Sequence, residues 1–133
     1  MATRAQFAEF KFQQITEGEV RILSLSGYLG NAEFREVAGV LSRLLEQKHH
    51  RVVLDLTTLT FTTTISLARF LVCGHEFRRH GGEMKIAGLS PWLARLAGMA
   101  GFAKKDFEPD VATALQKLAQ APQAKPQSSR NRK

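Results

Sequence analysis

The chain has 133 residues, is 44% hydrophobic and carries a formal net charge of +7. That is one domain's length with enough apolar residues for a core, and no apolar run reaches the roughly 18 residues a membrane-spanning helix needs. Cys73 is the single cysteine, so an internal disulfide is excluded and a reducing, cytoplasmic setting is expected.

The opening MATRAQFAEFKFQQ has no long apolar stretch followed by small residues, so a secretory leader is not expected. Phe7 to Gln13 alternates, with Phe7, Glu9, Lys11 and Gln13 on one side, and predicts an edge strand. Glu17-Gly18-Glu19 is a turn, and Val20 to Ser26 completes a hairpin. Gly27 to Gly30 breaks the pattern. Asn31 is expected to cap a helix, with Glu33 favourable in its first turn. Phe34, Val37, Leu41 and Leu44 then recur at helical spacing. Val52 to Leu56 is a nearly continuous apolar strand, as expected for a strand covered on both faces.

A threonine cluster over Thr57–Thr64 follows, read as a loop that runs into a helix. Leu67, Phe70, Gly74 and Phe77 line that helix, and Gly81-Gly82 ends it. Glu83 to Ala87 is a further strand. Ser90-Pro91 starts a helix, a capping serine followed by proline, and Gly101 stops it. Phe102 to Phe107 contains a short last strand, and Pro109-Asp110 opens a final helix. Residues 121–133 supply four of the seven surplus positive charges and contain no acid. With Pro122 and Pro126 they predict a disordered basic tail behind a domain over residues 1–120. The tail reads as a solubilising end or as a weak attractor of anionic surfaces. No aromatic is interleaved with its charges, so specific nucleic-acid binding is not expected.

Strands alternating with helices predict an α/β fold with a mixed, mostly parallel sheet, an N-terminal β-hairpin and about four helices. Right-handed crossovers gather Gly27–Asn31, Thr57–Thr64 and Gly88–Trp92 on the carboxyl edge of the sheet, where open α/β sheets bind ligands and partners.

Enzyme signatures are missing. There is no phosphate-binding or dinucleotide-binding glycine loop, and Ser66 and Ser90 lack a nucleophile elbow. His49-His50 is a polar helix-to-strand junction, while His75 and His80 do not share a helical face. No metal site or cofactor is expected. Cys73 reads as a small buried hydrophobe. The threonines read either as β-branched residues and caps suited to a strand-to-helix junction, or as a phosphoryl acceptor. For the second reading Thr64, at the helix start, is the best placed. Trp92 reads either as a partner anchor or as cover for its own helix end.

From Val20 to Leu118 the chain resembles the STAS domain, the module of bacterial anti-sigma-factor antagonists and of sulfate-transporter tails. The stretches VRILSLSGYLGNAEF, RVVLDLTTLTF, FRRHGGEMKIAGLSPWLARLAGMAGF and DVATALQKL carry the resemblance through their order and spacing. It implies a non-enzymatic regulatory binding module. Its partner would be an anti-sigma factor with a kinase-like ATPase domain, docked through Thr62, Thr63, Ser66, Gly30, Ser90 and Trp92, and Thr64 would be the phospho-acceptor. Where the family usually reads Ile-Asp-Ser-Ser-Gly-Leu, this chain has Thr62-Thr63-Thr64-Ile65-Ser66-Leu67. Thr63 thus replaces a carboxylate, and Ser66 adds a Cβ where a partner's backbone would approach. Gly30 stands where the family often has aspartate. Two alternatives remain open: a non-phosphorylated STAS subunit of a transporter-associated complex, and a small nucleotide- or phosphate-handling activity dependent on Asp55.

Overall fold

The computed structural model describes residues 9–120, so the expected basic tail, residues Phe7 and Ala8 and the domain boundary at 120 lie outside the described residues. The elements are β1 (Lys11–Glu17), β2 (Val20–Tyr28), α1 (Asn31–Glu46), β3 (Arg51–Phe61), α2 (Thr64–Arg79), β4 (Glu83–Ala87), α3 (Pro91–Met99), β5 (Phe107–Glu108) and α4 (Val111–Gln120). One five-stranded sheet has the order β1-β2-β3-β4-β5. The β1–β2 pair is antiparallel and the other three pairs are parallel. The α/β fold expected from the sequence is the fold observed.

The hairpin turns on Gly18, at φ +62, which places a glycine where a two-residue turn requires a left-handed backbone. The strand before it starts at Lys11 and runs to Glu17, later than the alternation of Phe7–Gln13 predicts. Thr16 and Glu17 pair with Arg21 and Val20, so cross-strand pairing carries the strand to the turn.

Strand β3 is the spine. Val52, Leu54 and Leu56 face the main core with Leu23, Leu25, Phe34, Phe70 and Phe77. Val53 points the other way, against Ala114 and Leu118 of α4. Covered on both faces, the strand must be apolar at consecutive positions. It also extends further than expected: Thr57 to Phe61 continue the strand instead of forming a loop. The pairing with β2 shifts register twice, between Ser24 and Ser26 and between Gly27 and Tyr28. These irregularities break the alternation that the sequence pattern relies on. Asp55 secures the first of them. Its Oδ1 accepts from the Thr57 amide at 3.0 Å and from the Thr57 hydroxyl at 2.6 Å, and its Oδ2 accepts from Ser24 Oγ at 3.1 Å. β2 likewise runs through Gly27 to Tyr28. At the C-terminal end Lys104–Asp106 forms a 3₁₀ turn, so the last strand is only Phe107–Glu108. Asp110 then accepts from the Thr113 amide at 2.8 Å. This hydrogen bond and a second from the Thr113 side chain hold the Asp110 carboxyl below its ordinary range.

Three helices end in the same hydrogen-bonded motif. In α2, Gly81 N–H donates to Arg78 O and Gly82 N–H to Phe77 O; in α3, Gly101 and Phe102 do the same to Gly98 and Ala97. The left-handed position is glycine in both, at φ +81 and +111. In α1, Lys48 N–H donates to Leu45 O and His49 N–H to Leu44 O, but the left-handed residue is Lys48, at φ +64. A side chain there costs on the order of 1 kcal/mol.

Gly82 is fixed by sterics. A Cβ at this position would collide with the His50 carbonyl, whose oxygen also accepts from the Glu83 amide at 2.8 Å. Gly82→Ala is expected to destabilise the domain by about 2 kcal/mol or more through this backbone clash. Lys48→Gly is expected to stabilise it by about 0.5–1 kcal/mol. Denaturant unfolding of the two variants checks both signs.

Candidate functional site

The three segments expected on the carboxyl edge meet there. Leu29 N–H donates to Phe61 O at 2.9 Å, and Thr62 Oγ1 donates to Leu29 O at 3.0 Å. The Phe61 ring stacks against Trp92 with centroids 5.7 Å apart, and Gly88 packs against Thr57. Backbone ladder, buried hydroxyl and aromatic contact therefore lock the ends of β2 and β3 and the start of α3 into one surface.

The α2 start departs from expectation in its details. Thr63, not Thr64, is the cap: its Oγ1 accepts from the Ser66 amide at 3.1 Å. Its hydroxyl in turn donates to Ser66 Oγ at 3.2 Å. Thr64 is the first helical residue and is half-buried, next to Ile65, which is 58% exposed. Their amides belong to the first turn, whose N–H groups lack intrahelical acceptors. Thr62 and Ser66 are closed off, at 1% and 0% exposure. The Cβ that Ser66 adds points inward and is not offered to an approaching backbone.

Gly30 is likewise buried, and it caps α1 in place of Asn31, which is the first helical residue. Its amide donates to Glu33 Oε1 at 2.9 Å, so Glu33 fastens the helix start from within. A Cβ at Gly30 would lie 3.0 Å from the Tyr28 ring; an aspartate there would press on that ring. Ser90 is exposed and caps α3, accepting from the Leu93 amide at 3.2 Å. Of the residues expected to meet a partner, Ser90 and Trp92 are exposed, Thr63 is half-buried, and Thr62, Ser66 and Gly30 are buried.

An aromatic row is the feature that sequence reasoning missed. Tyr28 stacks on Phe61 at 5.3 Å with rings parallel to within 1°, and Phe61 stacks on Trp92. Each pair contributes roughly 0.5–1.5 kcal/mol beyond its buried area. Trp92 is 40% exposed, so its ring covers Phe61 and meets solvent as well. The three residues are more than thirty positions apart in sequence; only their shared place at strand and helix ends signals the contact.

The family model of the STAS domain matches residues 11–114. The chain belongs to the STAS domain family. Its fold is that of an anti-sigma factor antagonist from Mycobacterium paratuberculosis, at TM-score 0.74 and 15% identity, covering 84% of this chain and 95% of that one. The Bacillus cell fate determinant SpoIIAA, in its phosphorylated form, superposes at TM-score 0.65 and 13% identity over 82% of this chain and 98% of that one. The murine anion transporter Slc26a9 matches at TM-score 0.61 and 10% identity, over 77% of this chain but only 18% of the transporter. Among the described residues, no helix of this STAS domain is long and apolar enough to cross a membrane. Nor do three or more His, Cys, Asp or Glu side chains among them converge as metal ligands. Burial, with a smaller push from Glu76, raises the Cys73 thiol pKa, which disfavours the reactive thiolate.

Because Thr63 works through its side-chain oxygen, Thr63→Ala is expected to cost about 1 kcal/mol of stability. Thr63→Asp, which keeps an acceptor oxygen at the cap, is expected to retain it. Thermal denaturation of the two variants separates the capping role from any effect on a partner.

Proposed function

We propose that this STAS domain works by binding a protein partner at its carboxyl edge, without catalytic turnover, in the cytoplasm. The observation that carries the reading is the aromatic row that ends in half-exposed Trp92, on the same edge as the helix start at Thr64 and exposed Ile65. A rigid tryptophan backed by a stacked ring is the kind of anchor that dominates interface energetics. Resemblance to anti-sigma factor antagonists makes an anti-sigma factor with a kinase-like ATPase domain the proposed partner class.

In this reading the unmodified edge docks and sequesters the partner. Phosphate on Thr64 adds roughly −1.5 to −2 charge and three acceptor oxygens. It would be well accommodated by the first-turn amides and the helix dipole, while opposing docking through bulk and desolvation. Thr63 in place of aspartate removes a charge beside the acceptor, so the kinase would orient the Thr64 hydroxyl without it.

A second reading, a non-phosphorylated STAS subunit of a transporter-associated complex, is supported by the likeness to part of the anion transporter Slc26a9, of which the match covers only 18%. In that case Thr64 would be a helix residue and no more. The nucleotide-handling alternative is not favoured, because the Asp55 carboxylate is occupied by Thr57 and Ser24.

The test is capture of partners from the native cells with tagged wild type, Thr64→Asp, Thr64→Ala and Trp92→Ala, combined with intact-mass analysis. The expected outcome is a kinase-like ATPase retained by wild type. Trp92→Ala should weaken it by about 30-fold, the equivalent of roughly 2 kcal/mol, and Thr64→Asp by tenfold or more. Thr64→Ala should bind and take up no phosphate. Unchanged binding by Thr64→Asp would remove the switch, and recovery of transporter components alone would favour the second reading.

A further inference from the structure

At the amino edge of the sheet, a strand's length from Thr64, a cavity of about 400 Å³ opens between the β1–β2 turn and the α1–β3 connection. Its wall carries Arg21, Lys48, His49, His50 and Arg51, and Glu19 is the acidic residue among the described lining. Arg21 reaches in from β2 and donates to His49 Nε2 at 3.1 Å, which makes that ring nitrogen an acceptor. Arg21 Nη1 donates to Thr16 Oγ1 at 3.3 Å. Arg51, at the start of β3, donates to Leu118 O at 3.1 Å. The His50 ring lies 6.2 Å from that of His80, at the end of α2. Burial first, then His80, Lys48 and His49, lowers the His50 pKa below its ordinary value.

The C-termini of α1 and α2 both end near this edge, and their dipoles favour cations. Two helix ends supply roughly one negative charge between them, against the two positive charges that remain when Glu19 is set against Arg21, Lys48 and Arg51. Moreover, Arg43 already stands in the last turn of α1, and Arg78 and Arg79 stand in the last turn of α2, where they pair with Glu83 and Glu76. Helix ends therefore do not account for the excess. Nor do they account for a lysine at the left-handed position of α1, where α2 and α3 have glycine. A strained side chain kept at one of three equivalent helix ends, on the rim of a cationic cavity, indicates a use for its ammonium group.

We propose that this cavity is a second binding site, for a small phosphoryl-bearing anion held by Arg21, Lys48 and the His49–His50 pair. The planar guanidinium and the ammonium point charge suit phosphate oxygens, and the excess of charge calls for a multivalent anion instead of a lone carboxylate. The volume is in the range of small-ligand sites. The site is at the opposite edge from the partner surface and does not depend on the reading of that surface.

The probe is inorganic pyrophosphate, titrated calorimetrically into the full chain at low ionic strength against an equal ionic strength of sodium chloride. Four proteins are compared: wild type, Lys48→Gly, Arg21→Gln, and a tail variant with Lys125, Arg130, Arg132 and Lys133 all changed to Gln. Saturable one-to-one binding is expected in wild type and in the tail variant. Lys48→Gly and Arg21→Gln should each bind at least fivefold more weakly. Lys48→Gly should melt about 2–4 °C higher than wild type, so its lost affinity cannot be lost folding. Absence of saturable binding, affinity unchanged in Lys48→Gly, or affinity abolished by the tail substitutions would each overturn the proposal.

Discussion

Strand β3 is the constraint from which the rest of the molecule follows. It is eleven residues long, which at strand rise is roughly 33–37 Å, and it runs from Arg51 at one edge to Phe61 at the other. Its middle is buried on both faces, with Val52, Val53, Leu54 and Leu56 at 0% exposure. Burying four such side chains contributes on the order of 6–12 kcal/mol before entropy is counted. The register of this strand therefore cannot slip. The two ends inherit that rigidity: the amino end places Arg51 and His50 beside Arg21, and the carboxyl end places Phe61 between Tyr28 and Trp92. The irregularities in its pairing with β2 let the strand adjust at one end only. Asp55 holds the first with three hydrogen bonds, so its carboxylate works for the backbone.

Local chemistry was legible wherever one residue type decides the geometry. Gly81 and Gly101 end helices, Ser90-Pro91 starts one, and the apolar run of Val52–Leu56 is a covered strand. In each case a single φ, a cap or a burial pattern is imposed by the side chain itself. The sequence pattern fails where neighbours in space decide. Thr57, Thr58 and Thr60 alternate poorly because the register shifts against β2, so they resemble a loop. Asn31 is the better capping type, yet Gly30 occupies the cap, where a Cβ would lie 3.0 Å from the Tyr28 ring. Lys48 gives no sign of a left-handed backbone. The pairing of Arg21 with His49 joins residues twenty-eight positions apart, and periodicity cannot see it.

The candidate site shows the same division. That hydroxyls gather at a helix start was legible; which of them faces out was not. Thr62, Thr63, Thr64 and Ser66 are near neighbours in sequence, but the passage from extended to helical backbone turns each in a different direction. Thr62 ties two strands together, Thr63 caps, Ser66 turns into the core, and Thr64 stands at the first helical position. Ser66 is thereby accounted for by its own surroundings, since its hydroxyl meets Thr63 and its side chain is buried.

Parallel topology also gives the two edges opposite electrostatic character. Helices that follow parallel strands present their N-termini, and partial positive charge, at the carboxyl edge, and their C-termini at the amino edge. At the carboxyl edge carboxylates meet that field at α1 and α4, through Glu33 and Asp110, whereas the neutral Thr63 and Ser90 hydroxyls cap α2 and α3. A carboxylate at position 63 would satisfy part of the α2 field on its own. Thr63 satisfies the Ser66 amide without doing so, and leaves the field to whatever anion is added next to it. Thr63 therefore caps α2 without neutralising its field, and the first turn of α2 stays better disposed toward an added negative charge than it would be under an aspartate cap.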